Sequence, residues 1–139
     1  MVKIAWVCRH PILEAQKESV LKIFGENTTI IQFTSTFVSA EYLYSLLKNA
    51  GVTHAIVVLP LSMIQHLVKY KDIVWLYCDM NKVHDNCPGK RCVLFDKRSD
   101  VLVEPGTTFP GTSNRELFKH YRFVGFKKIA EVTLKLEDL

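Results

Sequence analysis

The sequence has few glycines and none of the glycine motifs that shape phosphate-binding loops. Only six of its 139 residues are glycine, and no Gly-x-Gly-x-x-Gly follows the first apolar segment, so the dinucleotide fingerprint is missing. No Gly-Lys-Ser/Thr is present, which argues against a P-loop nucleoside-triphosphatase. Ser35 and Ser62 lack the flanking glycines of a nucleophile elbow, which argues against serine catalysis of the α/β-hydrolase type.

Long apolar stretches are missing as well. No segment reaches the roughly 18 apolar residues that a membrane span needs, and the apolar N-terminus is too short for a signal peptide. The length suits one domain, residues 1–139, whose core needs no metal or disulfide. The net charge of +4 is well below that of a basic nucleic-acid-binding tail. We therefore expect a cytoplasmic domain without a membrane or nucleic-acid partner.

Short apolar segments alternate with amphipathic segments over the first half of the chain. The amphipathic segments have apolar residues at helical spacing, whereas the apolar segments are continuous, as in strands buried on both faces. Pro11 fits the first turn of the first helix, Gly25 its end and Ser39 the cap of the second helix. Strands are predicted at residues 2–8, 28–34, 54–59 and 73–78, and helices at residues 12–24, 40–50 and 61–70. Such alternation predicts a small three-layer, Rossmann-like α/β domain with a mostly parallel sheet.

The pattern changes after Asp79 and predicts an antiparallel C-terminal portion. Residues 93–95 and 101–103 resemble a hairpin, residues 107–114 a loop and residues 115–121 a short helix. Apolar and polar residues alternate over 130–136, which predicts a half-exposed strand that is antiparallel or at an edge. Because edge strands invite pairing, a homodimer through this C-terminal strand is expected. Residues 85–112 are interpreted as an insertion or a lid-like segment.

Polar side chains follow three of the predicted strands at the edge where α/β sheets bind ligands. Arg9 and His10 come directly after the first strand, and a guanidinium beside a helix N-terminus favours phosphate or carboxylate. Thr34 would donate a further hydrogen bond, and Asp79 or Asn81 would accept one from a ribose or an amine. The sequence therefore predicts a site for a small anionic ligand, such as a nucleotide, at Arg9, His10, Thr34, Asp79 and Asn81.

The four cysteines do not form the framework of a secreted domain. Cys8 and Cys78 lie at the ends of apolar segments, where buried reduced thiols are common. Cys87 and Cys92 would close a small disulfide or, with His84, supply zinc ligands. Their spacing is not that of a zinc ribbon and no second Cys/His pair follows, so neither a metal nor a cofactor is expected. The remaining histidines stand alone in the pattern and are assigned structural or surface roles: His54, His66 and His120.

Three segments carry a resemblance to a known family. They are Trp6-Val7-Cys8-Arg9-His10-Pro11 followed by Gln16, the apolar residues 55–61 that end in Leu-Pro-Leu, and residues 124–129. Together they resemble an uncharacterised family of small bacterial and phage or prophage Rossmann-like proteins. The family has no established activity, so the resemblance implies no substrate. It does imply phage or mobile-element origin, with interference in a host nucleotide signal as a hypothesis.

Three hypotheses for function remain open at this point. The first is a protein that binds a small anionic ligand through Arg9 and the first helix. The second is an enzyme acting on a nucleotide or phosphoester, with His10 as general acid or base and Arg9 stabilising charge. The third is a protein-interaction module without a small ligand. A purely structural role is also open, with His10 as a helix cap and Arg9 paired with Glu14 or Asp79.

Overall fold

A computed structural model describes residues 2–34, 39–89, 92–103, 118–133 and 135–139. The described elements are six strands and three helices. In chain order they are β1 (Lys3–Val7), α1 (Glu14–Phe24), β2 (Thr29–Phe33), α2 (Ala40–Asn49), β3 (His54–Val57), α3 (Leu61–Leu67), β4 (Val74–Cys87), β5 (Asp100–Val103) and β6 (Phe118–Lys128).

All six strands form one mixed sheet in the order β2-β1-β3-β4-β6-β5. The first four are parallel, and Ala5 in the middle of β1 lies opposite Ile31 on one side and Ala55 on the other. β6 is antiparallel to β4, and β5 is antiparallel to β6. The predicted α/β class, with a mostly parallel sheet and an antiparallel C-terminal portion, is therefore confirmed.

The two faces of the sheet carry separate apolar cores. Ala5 and Val7 of β1 pack with α2 and α3 on one face, whereas Ile4 and Trp6 pack with Val20 of α1 on the other. This division follows from the period of two in a strand, which sends successive side chains to opposite faces. β1 has helices over both faces, and for that reason its sequence is continuously apolar.

Local signals set the helix ends, with one difference from the prediction. Ser39 caps α2 as expected, because its Oγ accepts the Tyr42 N–H at 3.1 Å. Gly25 ends α1 with a φ of +106°, which a glycine adopts without strain. The prediction that Pro11 lies in the first turn of α1 is wrong. The Gln16 side chain accepts the Leu13 N–H at 2.8 Å and caps the helix there instead.

The second half of the chain differs more strongly from the sequence prediction. β4 continues far beyond residue 78 because β6 pairs along it as far as Cys87. Residues 118–121 belong to β6, not to a helix, and residues 93–95 form turns, not a strand. Of the described residues in 130–136, none is in a strand. Ile129 donates its N–H to the Trp75 carbonyl at 2.8 Å, and the segment packs on the core through Ile129 and Val132.

These differences remove the basis for the predicted dimer contact. The C-terminal strand of the described chain is β6, which pairs with a strand on each side. The edges of the sheet are β2 and β5. The segment 85–112 is partly built into the sheet, since residues 85–87 lie in β4 and residues 100–103 in β5. Its residues 90–91 and 104–112 lie outside the described residues, as do the predicted loop at 107–114 and residues 115–117.

None of the helices in the described part of the chain combines the length and the apolar character that a membrane span requires.

Replacing Leu47 by alanine tests the α2 layer. Leu47 is fully buried, so we expect the cavity left by Leu47→Ala to lower the free energy of unfolding by about 2–5 kcal/mol. Urea denaturation measures the change. The control is Ile23→Ala on α1, where the side chain is 57% exposed and a change below about 0.5 kcal/mol is expected. Equal losses in both variants would contradict the described packing.

Candidate functional site

A cleft of about 610 Å³ lies at the carboxyl ends of β1 and β3. These two strands are neighbours, but the chain leaves them in opposite directions. From β1 it passes through α1 to β2 on one side, and from β3 through α3 to β4 on the other. Their connections therefore diverge, and a crevice opens between them, as at the switch point of other open α/β sheets.

The lining of the cleft is largely apolar. One wall comes from the loop after β3 and from α3, with Val58, Leu59 and Leu61. The opposite wall comes from the antiparallel part of the sheet, with Val101, Val103 and Tyr121. Several of these side chains remain open to solvent, including Val58 at 52% and Leu61 at 71%. Exposed apolar surface gathered in a concave site is typical of ligand binding.

The floor of the cleft is held by a small polar network at the end of β1. Trp6 donates its Nε1–H to the His10 carbonyl at 2.8 Å, which fixes the turn after β1. Gln16 donates to the sulfur of Cys78 at 3.3 Å. Burial raises the pKa of the Cys78 thiol to about 12 and also raises that of Cys8. Both cysteines are therefore protonated thiols at neutral pH, which are poor nucleophiles.

Of the five predicted ligand-binding residues, His10 lines the cleft. Arg9 is exposed and lies in the chain between the lining residues Cys8 and His10. The other three lie outside the described lining. Thr34 is exposed after β2, Asp79 pairs with Lys127 at 3.3 Å, and Asn81 is exposed opposite Arg122. Asp79 and Asn81 lie within β4, not at its end, because pairing with β6 extends the strand.

A second group of chemically active side chains lies in the antiparallel part of the sheet. One ligand atom from each of His84, Cys87, Cys92 and His120 lies within 4.8 Å of every other. Cys87 and His120 are fully buried, and the other two are half-buried. Among the described residues, these four are the group of histidine, cysteine and acidic side chains that could hold a metal ion.

Backbone geometry brings the four residues together. His84 and His120 are directly opposed in the β4–β6 ladder, and their rings lie edge to face at 5.1 Å. Asn86 and Gly89 have φ values of +55° and +76°, which turn the chain back after β4. Cys92 then donates its N–H to the Gly89 carbonyl at 2.9 Å.

The cysteines of this group differ in acidity. Burial raises the pKa of Cys87. Burial also acts to raise the pKa of Cys92, but the Leu94 N–H and the hydrogen bonds from His84 and Cys87 outweigh it and lower that pKa to about 7. The hydrogen bond with Cys92 in turn raises the pKa of His84. Cys92 is therefore substantially a thiolate at neutral pH, the form that binds metals.

A buried carboxylate, Asp100, supports the group from behind. Its oxygens accept hydrogen bonds from His120 Nε2 at 2.6 Å and from Arg122 Nε at 2.8 Å. They also accept the Asp96 N–H and the Ser99 hydroxyl. Burial alone would raise the pKa of Asp100, but the Arg122 guanidinium and the other donors hold it well below its usual range. Asp100 therefore stays ionised although it is 3% exposed.

The sequence pattern predicts a structural or surface role for His120, whereas the structure makes it a member of this group. The pattern of residues 115–121 indicates a helix, in which His120 stands alone. The spacing of His84, Cys87 and Cys92 is the part of the group that the sequence reveals. Finding His120 also requires the pairing of β4 with β6, which places it opposite His84. That pairing joins segments far apart in sequence, so no local pattern reveals it.

No protein-family model matches the chain, and no curated protein or solved structure is significantly similar to it. Function must therefore be inferred from the cleft, the side-chain group and their chemistry.

Removing the Asp100 carboxylate tests the network. Asp100→Ala leaves a buried histidine and an arginine without their shared acceptor, and we expect it to lower the free energy of unfolding by about 3–5 kcal/mol. Chemical denaturation gives the value. The control is Asp72→Ala, which removes a solvent-exposed ion pair with Lys48 and is expected to cost about 1 kcal/mol or less. A loss no larger than that of the control would contradict the role assigned to Asp100.

Proposed function

We propose that this protein is a Rossmann-like small-molecule-binding domain, with its site in the cleft at the ends of β1 and β3. The observation that carries the proposal is the position and size of the cleft. Its volume of about 610 Å³ lies within the range of about 300–1,000 Å³ usual for small-molecule sites. A crevice between diverging connections is also where open α/β sheets bind their ligands.

The lining indicates what the body of the ligand must be. Tyr77 and Tyr121 contribute aromatic surface, and most other lining residues are aliphatic. Tyr77 is 48% exposed and Val58 52%, so a flat apolar group would remove both from water. Each Å² of apolar surface so covered contributes about 25 cal/mol. A free sugar phosphate would leave this surface unused, whereas an aromatic base would cover it.

The turn after β1 favours a negative charge on the ligand. His10 of this turn lines the cleft, and Arg9 lies in the chain between the lining residues Cys8 and His10. Arginine binds phosphate through a planar fork of N–H groups. The absence of a glycine-rich loop argues against an extended pyrophosphate. The ligand class that combines these features is a nucleoside monophosphate or a cyclic nucleotide, and a host nucleotide signal belongs to that class.

The lining favours binding over catalysis. His10 is exposed and is the residue that would act as general acid or base if the protein were an enzyme. The described residues that line the cleft include no aspartate or glutamate that would orient this imidazole or hold a metal ion. The Cys8 thiol is kept protonated by burial. A single histidine without an orienting partner supplies little of the machinery that general acid–base enzymes use.

A charged side chain on the apolar wall of the cleft should abolish binding. We expect Val58→Glu to eliminate the thermal stabilisation by AMP, cyclic AMP or their guanine counterparts, because it places a carboxylate on the apolar wall. Saturating ligand, at 100 times its dissociation constant, stabilises by about 2.7 kcal/mol, a shift in Tm on the order of 10 °C. The control is Val124→Glu, the same substitution at a residue of similar exposure, 54%, outside the cleft lining. A flat response of the unaltered protein to every ligand would overturn the proposal and favour the protein-interaction alternative.

The proposed contact between Arg9 and the phosphate is tested separately with Arg9→Ala. A charge-assisted hydrogen bond contributes about 1.5–3 kcal/mol, so the affinity for AMP should fall roughly 10- to 150-fold while that for adenosine stays unchanged. Trp6 fluorescence in a Trp75→Phe background reports binding, because Trp6 lines the cleft and Trp75 lies in the α2/α3 core. Equal losses for AMP and adenosine would contradict a phosphate contact at Arg9.

A further inference from the structure

We propose that His84, Cys87, Cys92 and His120 bind a structural zinc ion with four protein ligands. Two sulfurs and two imidazole nitrogens in a tetrahedral arrangement are the donor set that zinc prefers. The site is separate from the ligand-binding cleft, so this proposal stands whether or not a nucleotide binds there.

The spacing of the four ligand atoms is close to that of a tetrahedral site. Zinc–nitrogen bonds of about 2.0–2.1 Å and zinc–sulfur bonds of about 2.3 Å place neighbouring ligand atoms roughly 3.3–3.8 Å apart. His84 Nε2 lies 3.3 Å from Cys92 Sγ, and all pairs lie within 4.8 Å. A contraction of about 1 Å in the widest pair would complete the geometry.

His120 is held in the form that a metal ligand must have. Its Nε2 lies 2.6 Å from Asp100 Oδ2, and an ionised carboxylate only accepts hydrogen bonds, so Nε2 carries the proton. A metal ion would bind the other ring nitrogen, Nδ1, through the lone pair that this nitrogen has when it carries no proton. His120 is fully buried, and its Nδ1 has no hydrogen-bond partner in the described part of the chain. A metal ion between the four side chains would satisfy this otherwise costly buried atom.

A hydrogen bond also orients His84, which lies on the opposite strand. Its Nδ1 lies 3.0 Å from the Asp85 carbonyl oxygen, which can only accept, so Nδ1 donates. Nε2 faces Cys92 Sγ at 3.3 Å, and a zinc ion bound to both atoms would replace the hydrogen bond between them. Histidine ligands of zinc characteristically donate their second ring nitrogen to a carboxylate or a backbone carbonyl. His120 has the first kind of partner and His84 the second.

Four protein ligands define a structural role for the metal. Catalytic zinc keeps one position for water or substrate, whereas a closed Cys₂His₂ set has none. The ligands come from β4, from the turn that follows it and from β6. Zinc would therefore tie together the end of the β4–β6 ladder at which two of its three register shifts interrupt the pairing, on either side of His84.

Metal content and matched variants test the site directly. We expect the intact chain, purified with a thiol reductant and without chelators, to contain about one zinc ion by inductively coupled plasma mass spectrometry. Cys92→Ser should lower zinc affinity by more than about 100-fold, because removing a residue that only orients a ligand already costs about 10- to 100-fold. The control is Cys8→Ser, another half-buried cysteine, which should retain the metal. His84→Gln and the exposed control His66→Gln form a second matched pair.

Cobalt substitution keeps the proposal testable if a variant fails to fold. Co²⁺ added to the intact apo-protein should give thiolate-to-cobalt charge-transfer bands and the visible bands of a tetrahedral site, and Zn²⁺ should displace it. A folded protein that gives no such bands and contains no zinc would overturn the proposal. Peptide mapping that finds a Cys87–Cys92 disulfide in the protein purified under reductant would also overturn it.

Discussion

The antiparallel half of this protein depends on one buried negative charge, the carboxylate of Asp100. A charge this deeply buried is tolerated only when it is paired and hydrogen-bonded. Asp100 meets the requirement through Arg122 and His120 on β6 and through the turn that precedes β5. The same carboxylate therefore joins β5 to β6, closes the turn at residues 96–100 and sets the tautomer of His120.

β4 connects the two halves of the molecule. Its first residues pair with β3 in the parallel part of the sheet, and from Leu76 onward it pairs with the antiparallel β6. Without β6, the strand would end near Asp79 and would present polar residues at the carboxyl edge of the sheet. Because β6 extends it, that edge is bordered by Tyr77, Val101 and Tyr121 instead. At this edge the structure therefore has a largely apolar cleft where the sequence predicts a polar anion site.

Patterns a few residues long predict the parallel strands, the Ser39 cap and the Gly25 terminus, although they misplace Pro11, which lies before α1. They fail where structure depends on distant pairing, since the period-two alternation of residues 130–136 is indistinguishable from that of a true strand. The prediction of a helix over 115–121 concealed His120 for the same reason. Of the candidate site, His10 could be placed from sequence, whereas the apolar walls and the fourth member of the Cys/His group could not.

The register of β5 explains how one short strand serves both regions. Successive side chains of a strand point to opposite faces. Val101 and Val103 line the cleft, whereas Asp100 and Leu102 lie opposite Arg122 and His120 on the other face. A slip of one residue would exchange these sets, burying valines beside the Cys/His group and placing a carboxylate in the cleft. Because the slipped register would leave Arg122 and His120 without their acceptor, the Asp100 network selects the native one. The buried charge thereby determines the apolar character of a cleft that it does not touch.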